Sequence, residues 1–225
     1  NHYFKHLGVS DGLSQVCIPS IYQDELGAVW LGTTEGLNRY NGKDVRVFQP
    51  SESNHGLTNN EINELCGDKN GRMYIRSGND LIKLDIYTEQ FTCLRQKGVY
   101  GLFCKKDTLW VSCADGIYYY TGQGTELTFF ARVQKGFVGR ALYVDRETVW
   151  VVTRKYLVAI SREDPLRQEI LLTLDKGNCI LGDSSGNIWV GAWNGLYRVS
   201  PDRETTAYVS HSGMLSSLAV QSDKY

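Results

Sequence analysis

The sequence predicts an all-β fold, a β-propeller built from four-stranded antiparallel blades of about 40 residues each. One strand-and-turn pattern returns along most of the 225 residues. Each copy also supplies turn residues suited to short antiparallel strands. Composition agrees with this prediction, because the 14 Tyr, 7 Phe and 5 Trp residues, together with many Val and Ile residues, favour strands over helices.

The repeat is clearest at an aromatic residue in the second strand of each copy. Successive aromatic anchors are separated by 44, 36, 40 and 39 residues, a period close to that of four-stranded propeller blades. The spacing predicts five blades, with anchors at Trp30, Tyr74, Trp110, Trp150 and Trp189. We expect the four tryptophans to lie in the core, because they share one register in an apolar strand that suits burial between sheets.

Each copy divides into four strands, which we label A to D. Strand A ends at Asp-x-x-Gly, as in Asp24–Gly27, where the Asp side chain bonds its own backbone and Gly supplies a positive φ. Strand B carries the aromatic anchor, and a short polar loop ending in Gly, as at Gly36, leads to strand C. Strand D is more variable and is predicted at Val45–Phe48, Phe91–Leu94, Leu127–Phe130 and Gln168–Leu172.

A second signature marks the passage from one blade to the next. It occurs as Asp11-Gly12-Leu13-Ser14, His55-Gly56-Leu57-Thr58 and Gly213-Met214-Leu215-Ser216. The third occurrence predicts that a sixth blade begins near residues 217–221, and residues 1–10 are predicted to supply an outer strand of the closing blade. Residues 1–225 are therefore expected to form a single segment of a larger propeller ring, of which this sequence contains only some of the blades.

Charge and hydropathy exclude several classes of function. A formal net charge of -1 gives no electrostatic reason to expect nucleic-acid binding, and no apolar run approaches the ~18 residues that span a bilayer. The six cysteines form no C-x-x-C pair and have no His partners at metal spacing, so we expect neither a metal nor a cofactor. The chain begins at Asn1 without an initiator Met or a signal peptide, which indicates a piece of a longer protein.

One short motif suggests catalysis. Residues Gly182–Gly186 match G-x-S-x-G, which in α/β hydrolases places a nucleophilic Ser on a strand-to-helix turn. Here the motif aligns with the hairpins Asp24–Gly27 and Asp68–Gly71, so we predict a β-turn and no catalytic residues. A propeller glycosidase or lyase stays open as a further alternative, because carboxylates are abundant, although the sequence cannot place two of them across a cleft.

Candidate ligand contacts lie in the B–C loops. Blade topology places these loops and the D–A connections at the same end of the strands, and loops on a rigid scaffold are where binding residues concentrate. Trp193 and Tyr156 have side chains that stack on a pyranose face. The side chains predicted to bond sugar hydroxyls are Glu35, Asn79, Asp80, Asp115, Arg154 and Asn194.

The residues between Asp11 and Gly42 also resemble a known family. They contain Asp-Gly-Leu-Ser, Asp-x-x-Gly-x-x-Trp-Leu-Gly-Thr and Glu-Gly-Leu-Asn-Arg-Tyr-Asn-Gly, as do the regulator-propeller repeats of hybrid two-component sensors of gut Bacteroides-type bacteria. The resemblance is specific in the first and fifth copies and looser in the other three. It implies a periplasmic propeller of about seven blades, attached through a downstream membrane span to a histidine kinase.

The resemblance implies a sensory function. The first hypothesis is a non-catalytic module that binds an oligosaccharide, a partner subunit, or both, and thereby controls the linked kinase. A homodimer formed through the intact receptor is expected. The isolated segment is also expected to associate, because an incomplete ring leaves unpaired strand edges. The alternative is a structural or protein-interaction propeller that binds no ligand directly.

Overall fold

Residues 6–50, 56–95, 97–209 and 218 are described by the structure, which is a computed structural model. Their regular structure consists of strands and two 3-10 turns, Val9–Asp11 and Gln134–Gly136. Within these ranges no helix has the length and apolar character needed to cross a membrane. The predicted all-β class is confirmed.

The described strands form five antiparallel sheets, each with four strands in chain order. The first sheet contains β1 (Ser20–Gln23), β2 (Val29–Thr33), β3 (Gly36–Tyr40) and β4 (Val45–Phe48), and the second contains β5 (Ile62–Gly67), β6 (Arg72–Ser77), β7 (Asp80–Asp85) and β8 (Gln90–Arg95). The third contains β9 (Val99–Lys105), β10 (Thr108–Cys113), β11 (Gly116–Tyr120) and β12 (Thr128–Ala131). The fourth contains β13 (Gly139–Val144), β14 (Thr148–Thr153), β15 (Tyr156–Ser161) and β16 (Gln168–Thr173), and the fifth β17 (Cys179–Gly182), β18 (Ile188–Ala192), β19 (Gly195–Val199) and β20 (Thr205–Val209).

The five predicted blades therefore correspond to five sheets, with each aromatic anchor on the second strand. Residues 1–5 of the predicted outer strand, His55 and the predicted sixth blade lie outside the described residues, apart from the isolated Leu218. Of the predicted outer strand, residues 6–8 have no regular structure and Val9–Asp11 forms a 3-10 turn. The outer strand and the sixth blade stay predictions.

The chain divides into two compact units, and the boundary between them passes through the third sheet. Unit 1 comprises residues Asn1–Leu109 and Tyr120–Leu127, and unit 2 comprises Trp110–Tyr119 and Thr128–Tyr225. In unit 1, the core lies between the first and second sheets. Trp30 is fully buried there, with its ring 5.7 Å from that of Phe48, in one cluster with Ile62 and Leu65 of β5.

Unit 2 repeats this arrangement between the fourth and fifth sheets. Trp150 lies in one buried cluster with Ile188 and Val190 of β18, so the anchor of one sheet packs against the strands of the next. The prediction that all four tryptophans are core is wrong for Trp189, which is only partly buried. Its sheet is the last among the described residues, and its ring stacks instead on Tyr208 of the same sheet at 6.0 Å.

In the first, second, fourth and fifth sheets, an aspartate side chain accepts hydrogen bonds from backbone N–H groups of the A–B hairpin. In the first sheet, Asp24 Oδ1 accepts hydrogen bonds from the backbone N–H groups of Leu26 and Ala28 at 3.0 and 2.8 Å. Its other oxygen, Oδ2, accepts the indole N–H of Trp30 at 2.7 Å. The backbone bonds follow from the turn chemistry, whereas the indole bond ties the turn to the core anchor and was not predicted.

Candidate functional site

The B–C loops and the D–A connections lie at the same strand ends, as predicted. In unit 1, the backbone N–H of Gly36 in the first B–C loop donates to Asn60 O at 2.7 Å. The N–H of Gly78 in the second B–C loop donates to Glu61 O, also at 2.7 Å. Two consecutive residues of one connection therefore hold two neighbouring loops side by side.

Three predicted contact residues lie on these unit 1 loops. Glu35 and Asn79 are exposed, so their side chains are accessible to a ligand. Asp80 is partly buried, and its Oδ1 accepts the backbone N–H of Lys97 at 2.6 Å. The carboxylate of Asp80 therefore holds the next D–A connection, which gives it a structural role that competes with ligand binding.

In unit 2, one connection again joins two loops. The backbone N–H of Gly177 donates to Arg154 O at 2.9 Å, and the N–H of Trp193 donates to Asp175 O at 2.8 Å. Residues 175–177 thus fix the fourth and fifth B–C loops side by side. The predicted contacts Arg154, Trp193 and Asn194 are all exposed at this edge.

Trp193 is the most prominent of these side chains. It is 46% exposed, an unusual condition for a residue that proteins mostly bury. The Lys176 ammonium lies 4.2 Å from the centroid of its ring, a cation–π contact that helps to orient the indole. The structure therefore presents a broad aromatic surface beside the exposed amide of Asn194.

Asp115 lies at a separate depression in unit 2. Ala114, Asp115, Arg132 and Phe137 are among the residues that line a cavity of about 300 Å³. The hydroxyl of Tyr118 donates to Asp115 Oδ2 at 2.9 Å. The Phe137 ring lies 4.9 Å from that of Tyr156, so the wall of this depression continues to another predicted contact.

We define the loop surface of unit 2 as Asp115, Phe137, Arg154, Tyr156, Lys176, Trp193 and Asn194. Five of these residues were predicted from the sequence. Phe137 and Lys176 were missed, because they belong to D–A connections whose approach to the B–C loops depends on tertiary structure. The surface combines exposed or partly exposed aromatic rings with carboxylate, amide and cationic groups, a mixture suited to a polar ligand with apolar faces.

A hydroxyl at the end of strand B shapes two of these loops. The Oγ1 of Thr33 accepts the N–H of Glu35 at 3.1 Å and donates to Gly36 O at 2.8 Å. In the fourth sheet, Thr153 Oγ1 likewise accepts the N–H of Tyr156 at 2.8 Å. The signal was present in the sequence, since each Thr follows its aromatic anchor by three residues.

A larger cavity lies at the opposite strand ends of the fourth sheet. Its volume is about 660 Å³, and it is lined by side chains of the A–B and C–D turns, among them Arg146, Glu147, Arg162, Glu163 and Arg167, with Glu169 from β16 and Arg203 from the fifth sheet. Arg162 donates to the carbonyls of Asp145 and Arg146, both at 3.0 Å, and Arg203 pairs with Glu169. Sequence reasoning missed this cavity, because most of its charged residues belong to turns that vary between copies.

The G-x-S-x-G motif forms a hairpin, as predicted. Gly182–Gly186 connects β17 to β18, and the N–H groups of Ser185 and Asn187 both donate to Asp183 Oδ1 at 2.9 Å. Ser184 and Ser185 are exposed on the turn, so the strand-to-helix geometry of a nucleophile elbow is absent from this segment. No group of three His, Cys, Asp or Glu side chains suited to a metal ion occurs among the described residues.

The fold and these loops define the class of protein to which the chain belongs. It is a segment of β-propeller blades with a polar and aromatic loop surface. Residues 12–35 match the two-component regulator propeller family. One regulator-propeller repeat is therefore present at residues 12–35, and the resemblance stated from Asp11 to Gly42 is confirmed over those residues. The chain is also 39% identical, over 49 residues, to histidine kinase P4 of Formosa agariphila, a match that covers 22% of this chain and 4% of that protein.

Solved structures share the fold over most of the chain. The extracellular domain assigned to the hybrid two-component system BT3049 of B. thetaiotaomicron matches with a TM-score of 0.79 and 22% identity, covering 91% of this chain and 32% of that one. The extracellular domain assigned to the one-component system BT4673 of the same bacterium matches with a TM-score of 0.76 and 20% identity, covering 92% and 33%. This chain thus spans about a third of each of these domains.

Proposed function

We propose that this chain is part of the periplasmic sensor of a hybrid two-component regulator, and that the loop surface of unit 2 binds an oligosaccharide. The regulator-propeller match at residues 12–35 supports the first part of the proposal. The observation that carries the second part is the exposed indole of Trp193, held beside Asn194 and Arg154 by the connection at residues 175–177. The histidine kinase would belong to the longer protein.

The chemistry of this surface suits a sugar. A pyranose presents an apolar face of C–H groups, which packs on an aromatic ring, and a rim of hydroxyls, which needs hydrogen-bond partners. Trp193 and Tyr156 supply rings, while the side chains of Asn194 and Arg154 supply donors and an acceptor. Because the loops are tied by backbone hydrogen bonds to one connection, these groups are largely pre-organised, which reduces the entropic cost of binding.

Binding alone does not produce a signal. A ligand shifts a sensor between two states only if it binds them with different affinities. In this proposal the ligand contacts loops of two successive sheets, the fourth and fifth, so it would favour whichever state brings those loops to the right spacing. The change would then pass to the kinase through the rest of the receptor.

Calorimetry with a panel of oligosaccharides tests ligand binding. We expect one class of glycan to bind the chain without turnover, and Trp193→Ala to weaken that binding about tenfold, the loss of roughly 1.4 kcal/mol of stacking energy. Tyr87→Ala is the matched control, because Tyr87 is also an exposed aromatic residue, at 62%, but lies in the β7–β8 turn. Equal affinities for wild type and Trp193→Ala would contradict the site, and release of a cleaved product would revive the glycosidase or lyase hypothesis.

A second candidate function is protein interaction, with a second copy of this chain as the partner. The observation that favours it is the stacked pair Trp189 and Tyr208 on the fifth sheet, with Tyr208 45% exposed. Large aromatic side chains of this kind are typical of interface centres. Light scattering at a series of protein concentrations tests this candidate. A chain that stays monomeric at all of them would contradict dimerisation through this segment, and glycan binding by that monomer would support the sensor role alone.

A further inference from the structure

One position of strand A has a recurrent packing partner. Tyr22 on β1 and Tyr143 on β13 each stand two residues before the Asp of their hairpin. Each ring lies across a glycine of the following sheet, Gly67 for Tyr22 and Gly182 for Tyr143, so closely that neither glycine has room for a Cβ. In these two cases a large aromatic side chain covers a residue without a side chain.

The second sheet departs from this arrangement. Cys66 of β5 occupies the same position, two residues before Asp68. Its Sγ lies 3.0 Å from the Sγ of Cys104 on β9, which is 38 residues away in the chain. Two small thiols, one from each of two successive A strands, therefore meet where the first and fourth sheets place a tyrosine against a glycine.

The distance between these sulfurs is informative. Sulfur atoms in a disulfide are about 2.0 Å apart, so an approach of about 1 Å would bring Cys66 and Cys104 to bonding distance. Both β5 and β9 are edge strands of their sheets, each paired on one side only. A small lateral shift of either strand therefore requires no break in the interior of a sheet.

The surroundings of the two thiols favour a disulfide over a metal site. A structural zinc ion needs four ligands, whereas the described residues place no third Cys, His, Asp or Glu with them in a metal-binding group. Both cysteines are only partly buried, so a small thiol reagent has access to them. Burial raises the pKa of the Cys66 thiol, which lowers its thiolate fraction, so we expect the bond to form slowly and to need a reactive disulfide as the oxidant.

We propose that Cys66 and Cys104 form a disulfide that links the first strands of the second and third sheets. The oxidant is a disulfide, either a small-molecule one or that of a thiol oxidoreductase. One cysteine, as its thiolate, attacks a sulfur of the oxidant, which forms a mixed disulfide and releases one thiol. The other cysteine attacks its partner's sulfur and releases the second thiol. The two cysteines lose two electrons and two protons, and the oxidant disulfide becomes two thiols.

The bond would act as a covalent link between neighbouring sheets. It closes a loop across 38 residues of chain separation, and a cross-link of that span stabilises the folded state by restricting the unfolded chain. We expect the oxidised chain to melt about 5–10 °C above the reduced chain. The proposal concerns two thiols of unit 1 that do not belong to the loop surface of unit 2, and it does not depend on oligosaccharide binding.

Thiol counting on the intact chain tests the proposal. The chain contains six cysteines, and we use the Cys17→Ser background to prevent cross-linking through the exposed Cys17. Incubation of the folded protein with oxidised glutathione should reduce the free thiols, counted after denaturation, from five to three. Mass spectrometry of the digest should then show the peptide of Cys66 joined to that of Cys104, and the melting temperature should rise.

Two further variants make the result specific. Cys66→Ser and Cys104→Ser, each in the same background, should fold but gain no intramolecular disulfide and no thermal stabilisation, whereas Cys93→Ser should behave like the background. Circular dichroism before oxidation establishes that each variant is folded. The proposal is overturned if the folded background protein keeps five thiols after oxidation, or if Cys66 is found joined to another cysteine.

Discussion

At the scale of single residues, the hairpin aspartates connect the turns to the core. Asp145 and Asp183 repeat the role of Asp24, each accepting the indole N–H of the anchor in its own sheet, Trp150 at 2.6 Å and Trp189 at 2.8 Å. Asp68 lacks an indole partner, because Tyr74 replaces the Trp, and it pairs with Arg72 instead. A buried indole N–H without an acceptor would cost roughly 1–3 kcal/mol, so the aspartate stabilises both the turn and the core.

Part of this arrangement was visible in the sequence. The spacing Asp-x-x-Gly-x-x-Trp occurs in the first copy at Asp24 and Trp30, and local hydrogen bonds of Asp in turns are well understood. The indole bond was not predicted, since Asp and Trp lie on opposite arms of a hairpin and their contact depends on how the arms are paired. Asp145 shows the limit of the motif, because it makes the same contacts in a turn that contains no Gly.

Glu64 is a partly buried acid with an altered titration. It lies on β5 opposite Arg76 of β6, whose Nε donates to it at 3.3 Å. Burial raises the pKa of Glu64 to about 7, although Arg76 and the backbone N–H of Leu102 act in the opposite direction. Desolvation of the carboxylate therefore outweighs its ion pair.

This titration predicts a pH-dependent stability. The unfolded chain releases the Glu64 proton near pH 4.5, whereas the folded chain holds it to about pH 7. The stabilisation of the folded chain by protonated Glu64 is fully present below pH 4.5 and is lost as the pH rises through 7. Gln cannot titrate, so the Glu64→Gln variant should not lose this stability. The free energy of unfolding of the variant, relative to that of wild type, should therefore increase as the pH rises from 4.5 to 7.

Urea denaturation at a series of pH values measures the effect. Glu61→Gln is the matched control, because Glu61 is exposed three residues earlier in the chain, and it should follow the pH dependence of wild type. The assignment would be wrong if Glu64→Gln and Glu61→Gln gave the same difference from wild type at every pH.

At the scale of structural elements, the B–C loops depend on glycine at the start of strand C. Gly36 and Gly195 have φ values of +124° and +147°, a region that residues with a side chain rarely adopt. A Cβ on Gly36 would also lie 2.7 Å from Phe48 O of the neighbouring strand. The loop therefore needs glycine for two reasons, the backbone conformation and the close approach of strand D.

A matched pair of variants separates these two effects. Gly42 has a φ of +97° but has no atom within 4 Å of a Cβ built on it. Gly42→Ala should therefore destabilise the chain by about 1 kcal/mol through backbone strain alone. Gly36→Ala should cost about 2–4 kcal/mol, because strand D must also move. Equal losses in urea denaturation would show that the contact with Phe48 O is relieved without cost.

Prediction from sequence succeeded best at this scale. The predicted D strands Val45–Phe48 and Gln168–Leu172 coincide with β4 and β16 to within one residue. The fourth loop departs from the expected pattern, since Tyr156 begins strand C where the first, third and fifth copies have Gly. Strand β20 (Thr205–Val209) was not assigned, because its sequence Thr-Thr-Ala-Tyr-Val shows no alternation of apolar and polar residues.

At the scale of the whole molecule, the repeat period determines the number of sheets but not the packing between them. The 40-residue period requires only that each copy fold alike. The meeting of Cys66 with Cys104, and of Tyr22 with Gly67, depends on which residue of one sheet faces which residue of the next. Similarly, the sequence placed Trp193 on a loop, whereas its contact with Lys176 arises because a D–A connection crosses beside that loop.

Stacking of successive sheets predicts that equivalent anchors contribute unequally to stability. Trp150 is buried against Ile188 and Val190 of the fifth sheet, whereas Trp189 is only partly buried among the described residues. Trp150→Ala should cost about 3–5 kcal/mol, because it leaves a cavity between two sheets. Trp189→Ala should cost about 1–2 kcal/mol, because folding removes less of the apolar surface of the Trp189 side chain from water. Urea denaturation followed by far-UV circular dichroism compares the two variants with wild type. Equal losses would mean that Trp189 is covered by another part of the chain or by a second copy. A second copy would make the stability of the wild-type protein depend on protein concentration, whereas another part of the same chain would not.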